Sequence, residues 1–285
     1  MLIRLCTMAL ENQVEEYYIR KIIYANNIIP HSPGPTPVNW PFPIEISTLG
    51  NFQIRIKGKR PQTTSKPKSK VFDLLKMLIG FGAKKAAIEL ISDELWPEKD
   101  GDLAKSAFST TLNRLRKLLN IKNAILTEEG KIGLNLNICK IDSVNFEKRA
   151  DFILLQQESG DDKNMESLYK YAIGLYKGTY LEGESEHTWI INKREKLEKT
   201  YIKMVTDLCA LFDVYGNSEE AMQYCREGIG RVPTEESFYR YMMAYYVKSG
   251  NNADVVKLYN QCKYNLYTSF SVAPSRATKK YISHL

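Results

Sequence analysis

The chain has 285 residues, with 44% hydrophobic, 11% aromatic and 26% charged side chains and a formal net charge of +7. At roughly 100 to 200 residues per domain this length indicates two domains, and the composition excludes wholesale disorder, a collagen-like repeat and a disulfide-stapled miniature. The chain has no apolar run of about 18 residues and no secretory signal, and its five cysteines never form a CxxC pair. We therefore expect a soluble cytoplasmic protein with reduced thiols and no membrane partner.

The positive charge is concentrated in one stretch of the chain. Residues 46–120 hold 15 basic and 7 acidic side chains, whereas residues 1–45 hold 3 and 4, and residues 121–285 hold 22 of each. Because a surface for a charged partner shows as a local excess of charge, the net +8 of residues 46–120 indicates a polyanion as partner. A solvated basic hairpin within this stretch is the alternative interpretation.

The first 43 residues are predicted to form a helical segment and a linker. Apolar residues at helical spacing within residues 2–25 predict about two short helices, which hold too few apolar side chains to form a core alone. Six of the eleven prolines lie between Pro30 and Pro43, and proline excludes helix and favours a stiff extended spacer. We assign residues 1–29 to the end of an upstream domain or a segment packed on a neighbouring one, and residues 30–43 to a Pro-rich linker.

Residues 44–140 have the element order of a winged helix-turn-helix domain. Alternating apolar and polar residues predict strands, longer periods predict helices, and Asp100 to Asp102 supply capping chemistry for the third helix. The predicted elements are strands at 44–47 and 52–56, helices at 69–80 and 86–95, a third helix that follows this capping segment and runs to about Leu119, and a hairpin with strands at 124–127 and 132–136. In this architecture the third helix enters the DNA major groove.

The third helix is predicted to have a buried stripe and an exposed polar face. Apolar residues recur at three- and four-residue steps in this helix, namely at Ala104, Phe108, Leu112, Leu115 and Leu119. At about 100° per residue from Phe108, the opposite face carries Ser106, Thr110, Asn113 and Lys117, flanked by Ser109 and Arg114. Asn113 can pair bidentately with adenine, and Lys117 or Arg114 can reach guanine or phosphate. An amphipathic helix with an ordinary polar face is the alternative.

Residues 141–285 are predicted to be entirely helical. A long helix is expected at residues 186–215, and residues 215–224 align with residues 249–258 at an offset of 34. A period of about 34 residues is typical of tetratricopeptide-like helical pairs. The predicted fold class is therefore mainly α with a small β component, a winged helix-turn-helix followed by an all-α tetratricopeptide-like repeat domain.

Several motifs resemble those of SARP-type (antibiotic regulatory protein) transcriptional activators, which are relatives of OmpR-type effector domains. Those of the winged helix are Ser47–Phe52, Ser92–Pro97 and Leu112–Leu119, and those of the bacterial transcriptional activation domain are Ile141–Phe146, Leu175–Gly183 and Val272–Ser275. The resemblance covers residues 44–285. It implies an activator that binds double-stranded DNA at tandem repeats, with two molecules assembling on the tandem sites, and that recruits RNA polymerase.

The resemblance also implies roles for individual residues. By position, contacts to bases or nearby phosphates fall to Ser106, Ser109, Thr110, Asn113 and Arg114. Arg116 and Lys131 would contact the DNA backbone, although on the helical wheel Arg116 lies nearer the packed side, which also allows an intramolecular contact. Ser109 stands where many members carry a basic residue, so base preference does not carry over. Residues 1–43 resemble the connector to an upstream sensory or ATPase region, so we expect the output half of a longer regulator, as in two-component-like signalling, or a protein that has lost that region.

The sequence carries no pattern typical of an enzyme. His31, His187 and His284 are isolated, and neither a P-loop nor a nucleophile-elbow pattern is present. Residues 80–85 lack the complete P-loop pattern and are interpreted as a helix end and turn. We expect no catalytic activity, no cofactor and no metal. The stronger alternative is a tetratricopeptide-type adaptor whose winged helix does not read DNA, whereas RNA is disfavoured because its major groove excludes an inserted helix.

Overall fold

The structure is a computed structural model that describes residues 2–26, 28, 40–61, 70–159, 164–184 and 187–283. These residues belong to two compact units, of which the first comprises Met1–Asn145 with Leu181–Lys193 and the second comprises Phe146–Tyr180 with Arg194–Leu285. Most of the predicted Pro-rich linker lies outside the described residues, as do two of the isolated histidines, His31 and His284.

The predicted strands and helices occur in the predicted order, together with two strands that were not predicted, Ala86–Ala87 and Cys139–Ile141. In chain order they are α1 (Leu2–Glu11), α2 (Glu16–Ala25), β1 (Ile44–Ser47), β2 (Gln53–Ile56), α3 (Lys70–Gly80), β3 (Ala86–Ala87), α4 (Ile88–Leu95), α5 (Gly101–Leu119), β4 (Ile125–Glu128), β5 (Lys131–Leu134), β6 (Cys139–Ile141), α6 (Asp142–Ser159), α7 (Met165–Leu175), α8 (Thr188–Tyr215), α9 (Ser218–Arg231), α10 (Glu236–Lys248), α11 (Asn252–Phe270) and α12 (Arg276–Lys279). The predicted fold class, mainly α with a small β component, is confirmed.

The N-terminal helices form a small core with a residue that follows the proline segment. Cys6 and Leu10 of α1 and Ile23 of α2 are buried together with Ile28 and Trp40. The indole of Trp40, which is 1% exposed, packs in this cluster, with Ile3, Ile19, Ile22 and Phe42 partly buried against it. These residues are part of the first unit.

The first sheet has three strands in the order β2-β1-β6. β1 pairs antiparallel with β2, in the register Ile44↔Ile56, and parallel with β6, in the register Ile44↔Cys139. Alternate residues of β1, Ile44 and Ile46, are buried, as the period-2 pattern predicted. The parallel partner β6 comes from the chain after the hairpin of β4 and β5, so the sheet joins the start of the winged-helix segment to its end.

The second sheet has the order β3-β5-β4 and forms the wing. The prediction that Ala86 and Ala87 begin a helix was wrong, because both residues pair antiparallel with Ile132 and Lys131 of β5 before α4 begins at Ile88. The hairpin of β4 and β5 is confirmed, but its turn is tighter than predicted. Glu128 and Lys131, which were expected in the turn, pair with each other as strand residues.

A buried polar cluster joins the end of β1 to the start of α6. The Asp142 carboxylate accepts hydrogen bonds from the backbone N–H of Thr48 at 2.7 Å and of Leu49 at 3.0 Å, and from Thr48 Oγ1 at 2.7 Å. Thr48 Oγ1 also lies 2.8 Å from Ser143 Oγ, and both residues are fully buried. Burial raises the pKa of the Asp142 carboxyl, and these hydrogen bonds oppose that rise.

Residues 181–193, distant in sequence from the winged helix, are part of the first unit. The Leu181 N–H donates to the carbonyl of Thr48 at 2.7 Å. The ammonium of Lys76, a residue of α3 that is 2% exposed, lies 2.6 Å from a carboxylate oxygen of Glu184. The Trp189 indole packs so closely on Gly80 at the end of α3 that a Cβ added there would overlap it. This segment thus covers α3 and neutralises its buried charge.

The second unit shows the predicted repeat of about 34 residues. α9 begins at Ser218 and α11 at Asn252, and each is preceded by a glycine with positive φ, Gly216 at 75° and Gly250 at 72°. Glycine adopts this left-handed conformation without the steric penalty of a Cβ. The turn that starts each repeat is therefore encoded at equivalent positions, as the offset in the sequence indicated.

Candidate nucleic-acid interface

The helix predicted to read DNA is α5, a helix of 19 residues. Asp100 precedes it in an extended conformation, but its side chain makes no capping hydrogen bond, so the predicted side-chain cap is not formed. The Asp100 carbonyl accepts a hydrogen bond from the Ala104 N–H at 2.8 Å. The helix ends at Asn120, which has a φ of 45° and whose N–H donates to the carbonyl of Arg116 at 3.0 Å. A left-handed residue at this position is a common helix C-cap.

The buried stripe predicted for α5 is confirmed. All five of its residues are at most 7% exposed, namely Ala104, Phe108, Leu112, Leu115 and Leu119. Thr111 is buried as well, at 6%. Because this stripe holds one side of α5 against the unit, the opposite side is fixed toward solvent.

All eight residues predicted to contact DNA are exposed in the first unit. Seven lie on α5, namely Ser106, Ser109, Thr110, Asn113, Arg114, Arg116 and Lys117, and the eighth is Lys131 at the start of β5. α5 carries one acidic residue, Asp102, and four basic residues, namely Lys105, Arg114, Arg116 and Lys117. The exposed face of α5 is therefore basic, which suits a phosphate backbone.

The wing is anchored beside this helix. Glu129 and Gly130 form its tip with φ values of 48° and 72°, as in the two-residue turns that match the twist of a hairpin. The Ile88 N–H at the start of α4 donates to the carbonyl of Gly130 at 2.9 Å, and the Lys85 ammonium pairs with the Glu128 carboxylate. These contacts fasten the tip of the wing to the start of α4.

A groove of about 720 Å³ separates α5 from the wing. Its lining combines polar and charged side chains from three elements, and it includes Lys105, Ser109 and Arg116 of α5, Glu89 of α4, and Thr127, Glu129 and Lys131 of the wing. Lys131 thus faces the same groove as Ser109, although these residues are far apart in sequence. Of the eight predicted contacts, the groove brings together Ser109, Arg116 and Lys131. The other five are exposed on α5 but do not line the groove, namely Ser106, Thr110, Asn113, Arg114 and Lys117.

Lys105 and Thr127 line this groove but were not among the predicted contacts. Lys105 is exposed and lines the groove, but at about 60° from Phe108 on the helical wheel it falls on the packed side. Thr127 accepts a hydrogen bond from Arg116 Nη2 at 3.1 Å. The charge of Lys105 was a signal in the sequence, whereas nothing in the pattern of β4 marked Thr127.

The described residues hold neither a metal cluster nor a membrane-spanning helix. Among them, no group of three or more His, Cys, Asp or Glu side chains could hold a metal ion, and no helix is both long and apolar enough to cross a membrane. Residues 80–85 form a helix end and turn, as predicted, with the Ala83 N–H donating to the carbonyl of Leu78 at 2.9 Å. His187 is exposed, with its Nδ1 4.0 Å from a carboxylate oxygen of Glu94.

Comparison with known proteins gives a family and a fold. Residues 141–285 match the family described as bacterial transcriptional activator domain. Among solved structures, that of Mycobacterium tuberculosis EmbR in complex with a low-affinity phosphopeptide is similar, with a TM-score of 0.62 and 16% sequence identity. The similarity covers 85% of this chain and 65% of that chain, so this chain spans just under two thirds of its length. No curated protein is similar in sequence.

The similarity to EmbR at this level of identity shows a shared fold, and the family match confirms the resemblance to SARP-type activators. The matched segment is slightly more than half of the chain. The chain therefore belongs to the bacterial transcriptional activator domain family.

Proposed function

We propose that this protein is a sequence-specific activator of transcription that binds double-stranded DNA with α5 in the major groove. The observation that carries the proposal is the exposed face of α5, on which polar and basic side chains lie opposite a buried stripe and beside an anchored wing. An inserted helix with an adjacent wing is the way in which such domains bind a duplex.

The side chains of α5 divide into readers of bases and ligands of phosphate. Asn113 offers a donor and an acceptor to adenine, and Arg114 offers two donors to guanine. Ser106, Ser109 and Thr110 lie nearer the start of the helix and contact bases or adjacent phosphates. Lys117 and, from the wing, Lys131 bind phosphate. Their ammonium groups are point charges that position the duplex without discriminating sequence.

The family match supports a proposal about the partners of this activator. Residues 141–285 match the bacterial transcriptional activator domain, and we propose that these helical residues contact RNA polymerase while residues 44–140 hold the DNA. Two molecules side by side would occupy tandem DNA repeats. No catalytic step is part of this function.

Selection from a pool of random duplexes at two salt concentrations tests the proposal. We expect enrichment of a repeated motif and affinity that falls steeply with salt, because each phosphate contact adds about 0.9 to the logarithmic salt slope. Lys117→Ala should weaken binding to all sequences and reduce this slope by about one. The matched control is Lys263→Ala, which removes an exposed lysine from α11 and should change neither.

The alternative, a protein-interaction adaptor, gives the opposite outcome in the same experiment. A winged helix that serves protein contacts would show no duplex binding even at low salt, where electrostatic attraction is strongest. Salt-sensitive binding without an enriched motif would contradict sequence-specific reading while leaving a nonspecific DNA binder.

A further inference from the structure

Arg116 makes a contact within the protein that distinguishes it from the other basic residues of α5. Its Nη2 donates to Thr127 Oγ1 at 3.1 Å, which joins the last turn of α5 to β4 of the wing. The guanidinium is a rigid planar fork, so a hydrogen bond made by it fixes direction as well as distance.

The contact between Arg116 and Thr127 lies between two cavities. The groove of about 720 Å³ between α5 and the wing tip lies on one side of it. A second cavity of about 710 Å³, lined by the turn that connects α5 to β4, lies on the other. The residues that line both cavities are Arg116 and Thr127. Their side chains therefore form a strut across an otherwise open gap between helix and wing.

The central strand of the wing is held in a different way. β5 pairs with β3 in the register Ala86↔Ile132, and the tip is bonded to the start of α4 through the carbonyl of Gly130. Backbone hydrogen bonds thus fix β5 from the side of β3, whereas β4, on the other side of β5, is an edge strand that the side-chain strut joins to α5. The twist of such a short sheet can vary, so pairing with β5 does not by itself set the angle between β4 and α5.

We infer that Arg116 is a positioning residue that sets the angle between α5 and the wing, rather than an independent phosphate ligand. Lys131 stands on the wing and the base-reading side chains stand on α5, so both can engage one duplex only at a defined separation. A strut that fixes this separation in the free protein reduces the conformational entropy that the wing loses when DNA binds. The effect on DNA affinity rests on the proposed function, whereas the effect on the wing does not.

A double-mutant cycle with Thr127→Val and Arg116→Ala tests the inference on an enriched duplex. Thr127→Val removes the acceptor without changing charge, and we expect it to weaken binding about three- to tenfold with an unchanged salt slope. The double variant should bind no more weakly than Arg116→Ala alone, because the two changes break one contact. Thr268→Val, which removes an exposed threonine hydroxyl from α11, is the control and should have no effect.

Amide hydrogen exchange in the free protein supplies a measurement that does not depend on DNA. We expect exchange across residues 125–134 to accelerate about three- to tenfold in both single variants. Loss of the hydrogen bond should raise the population of conformations in which the wing has moved away from α5, and the exchange rate rises by the same factor. Exchange in α10 and α11 should stay at the parent rate. A general loss of stability would accelerate exchange in the core of the first unit as well and is recognised by that pattern.

The outcomes separate the two levels of the proposal. A silent Thr127→Val variant, together with an Arg116→Ala variant whose salt slope falls by about one, would make Arg116 a phosphate ligand and overturn the inference. Unchanged exchange in the wing of both variants would overturn it regardless of DNA. If the parent binds no duplex but the wing exchange accelerates as expected, the proposed function fails and the strut stands.

Discussion

Asp142 is predicted to be the residue whose loss most destabilises the first unit. Its carboxylate accepts hydrogen bonds from the N–H groups of Thr48, at 2.7 and 2.9 Å to its two oxygens, and of Leu49, at 3.0 Å. These residues are 0% and 4% exposed, so water does not readily replace the lost acceptor. Each buried N–H left without a partner costs about 1 to 3 kcal/mol.

The carboxylate also accepts from the Ser143 N–H at 2.7 Å, so Asp142→Ala leaves three N–H groups without their acceptor and removes a carboxylate from the start of α6. We therefore expect the free energy of unfolding to fall by at least about 3 to 5 kcal/mol. In a domain of about 150 residues this lowers the Tm by roughly 6 to 20 °C. Asp142→Asn keeps one acceptor oxygen but turns an amide donor toward N–H donors, so its loss should be intermediate. Thr48 Oγ1 retains Ser143 Oγ as a neighbour at 2.8 Å and is not counted.

Urea unfolding followed by tryptophan fluorescence measures this effect in the relevant unit. All three tryptophans, Trp40, Trp96 and Trp189, lie in the first unit. The control is Asp93→Ala, which removes an exposed aspartate from α4 of the same unit and should change stability by no more than about 0.5 kcal/mol. A loss below about 1 kcal/mol for Asp142→Ala, or a loss equal to that of the control, would refute the reasoning.

Two further predictions concern packing and thiol chemistry. Gly80→Ala should destabilise the first unit by about 1 to 3 kcal/mol and shift the tryptophan emission, since the new Cβ displaces the Trp189 indole. The control is Gly101→Ala, where nothing lies within 4 Å of the new Cβ, and it should not destabilise the unit. Equal effects of the two substitutions would contradict this account. All five cysteines are buried, and burial raises the pKa of Cys139 to about 12. A thiol reagent at pH 8 should therefore label none of them in the native protein and all five after unfolding. Rapid labelling of the native protein would contradict their burial.

Features within a single helix could be predicted from the sequence. The stripe from Ala104 to Leu119 repeats every three to four residues, and that spacing alone separates the buried from the exposed side of α5. The 34-residue offset similarly predicted a helical repeat, and α9 and α11 start 34 residues apart, each after a turn glycine. Local periodicity was sufficient in both cases.

Features that depend on distant pairing could not be predicted in this way. Alanine favours helix, yet Ala86 and Ala87 form a strand because they pair with β5, whose residues lie some 45 positions later in the sequence. The hydrogen bonds from Thr48 to Asp142 span 94 residues, and the contact of Arg116 with Thr127 depends on how the hairpin folds back on α5. Periodicity carries no information about such contacts, which tertiary packing alone determines.

The central claim is that α5 reads the sequence of a DNA duplex, and parallel selections with the parent, Asn113→Ala and Asn260→Ala test it most directly. Asn113 is exposed on α5, whereas Asn260 is exposed on α11 and serves as the matched control. We predict that the parent and Asn260→Ala enrich the same motif, and that Asn113→Ala loses preference at one base pair at a cost of about 1 to 3 kcal/mol. Identical motifs and affinities for all three proteins would contradict the assignment of this face of α5 as the reader.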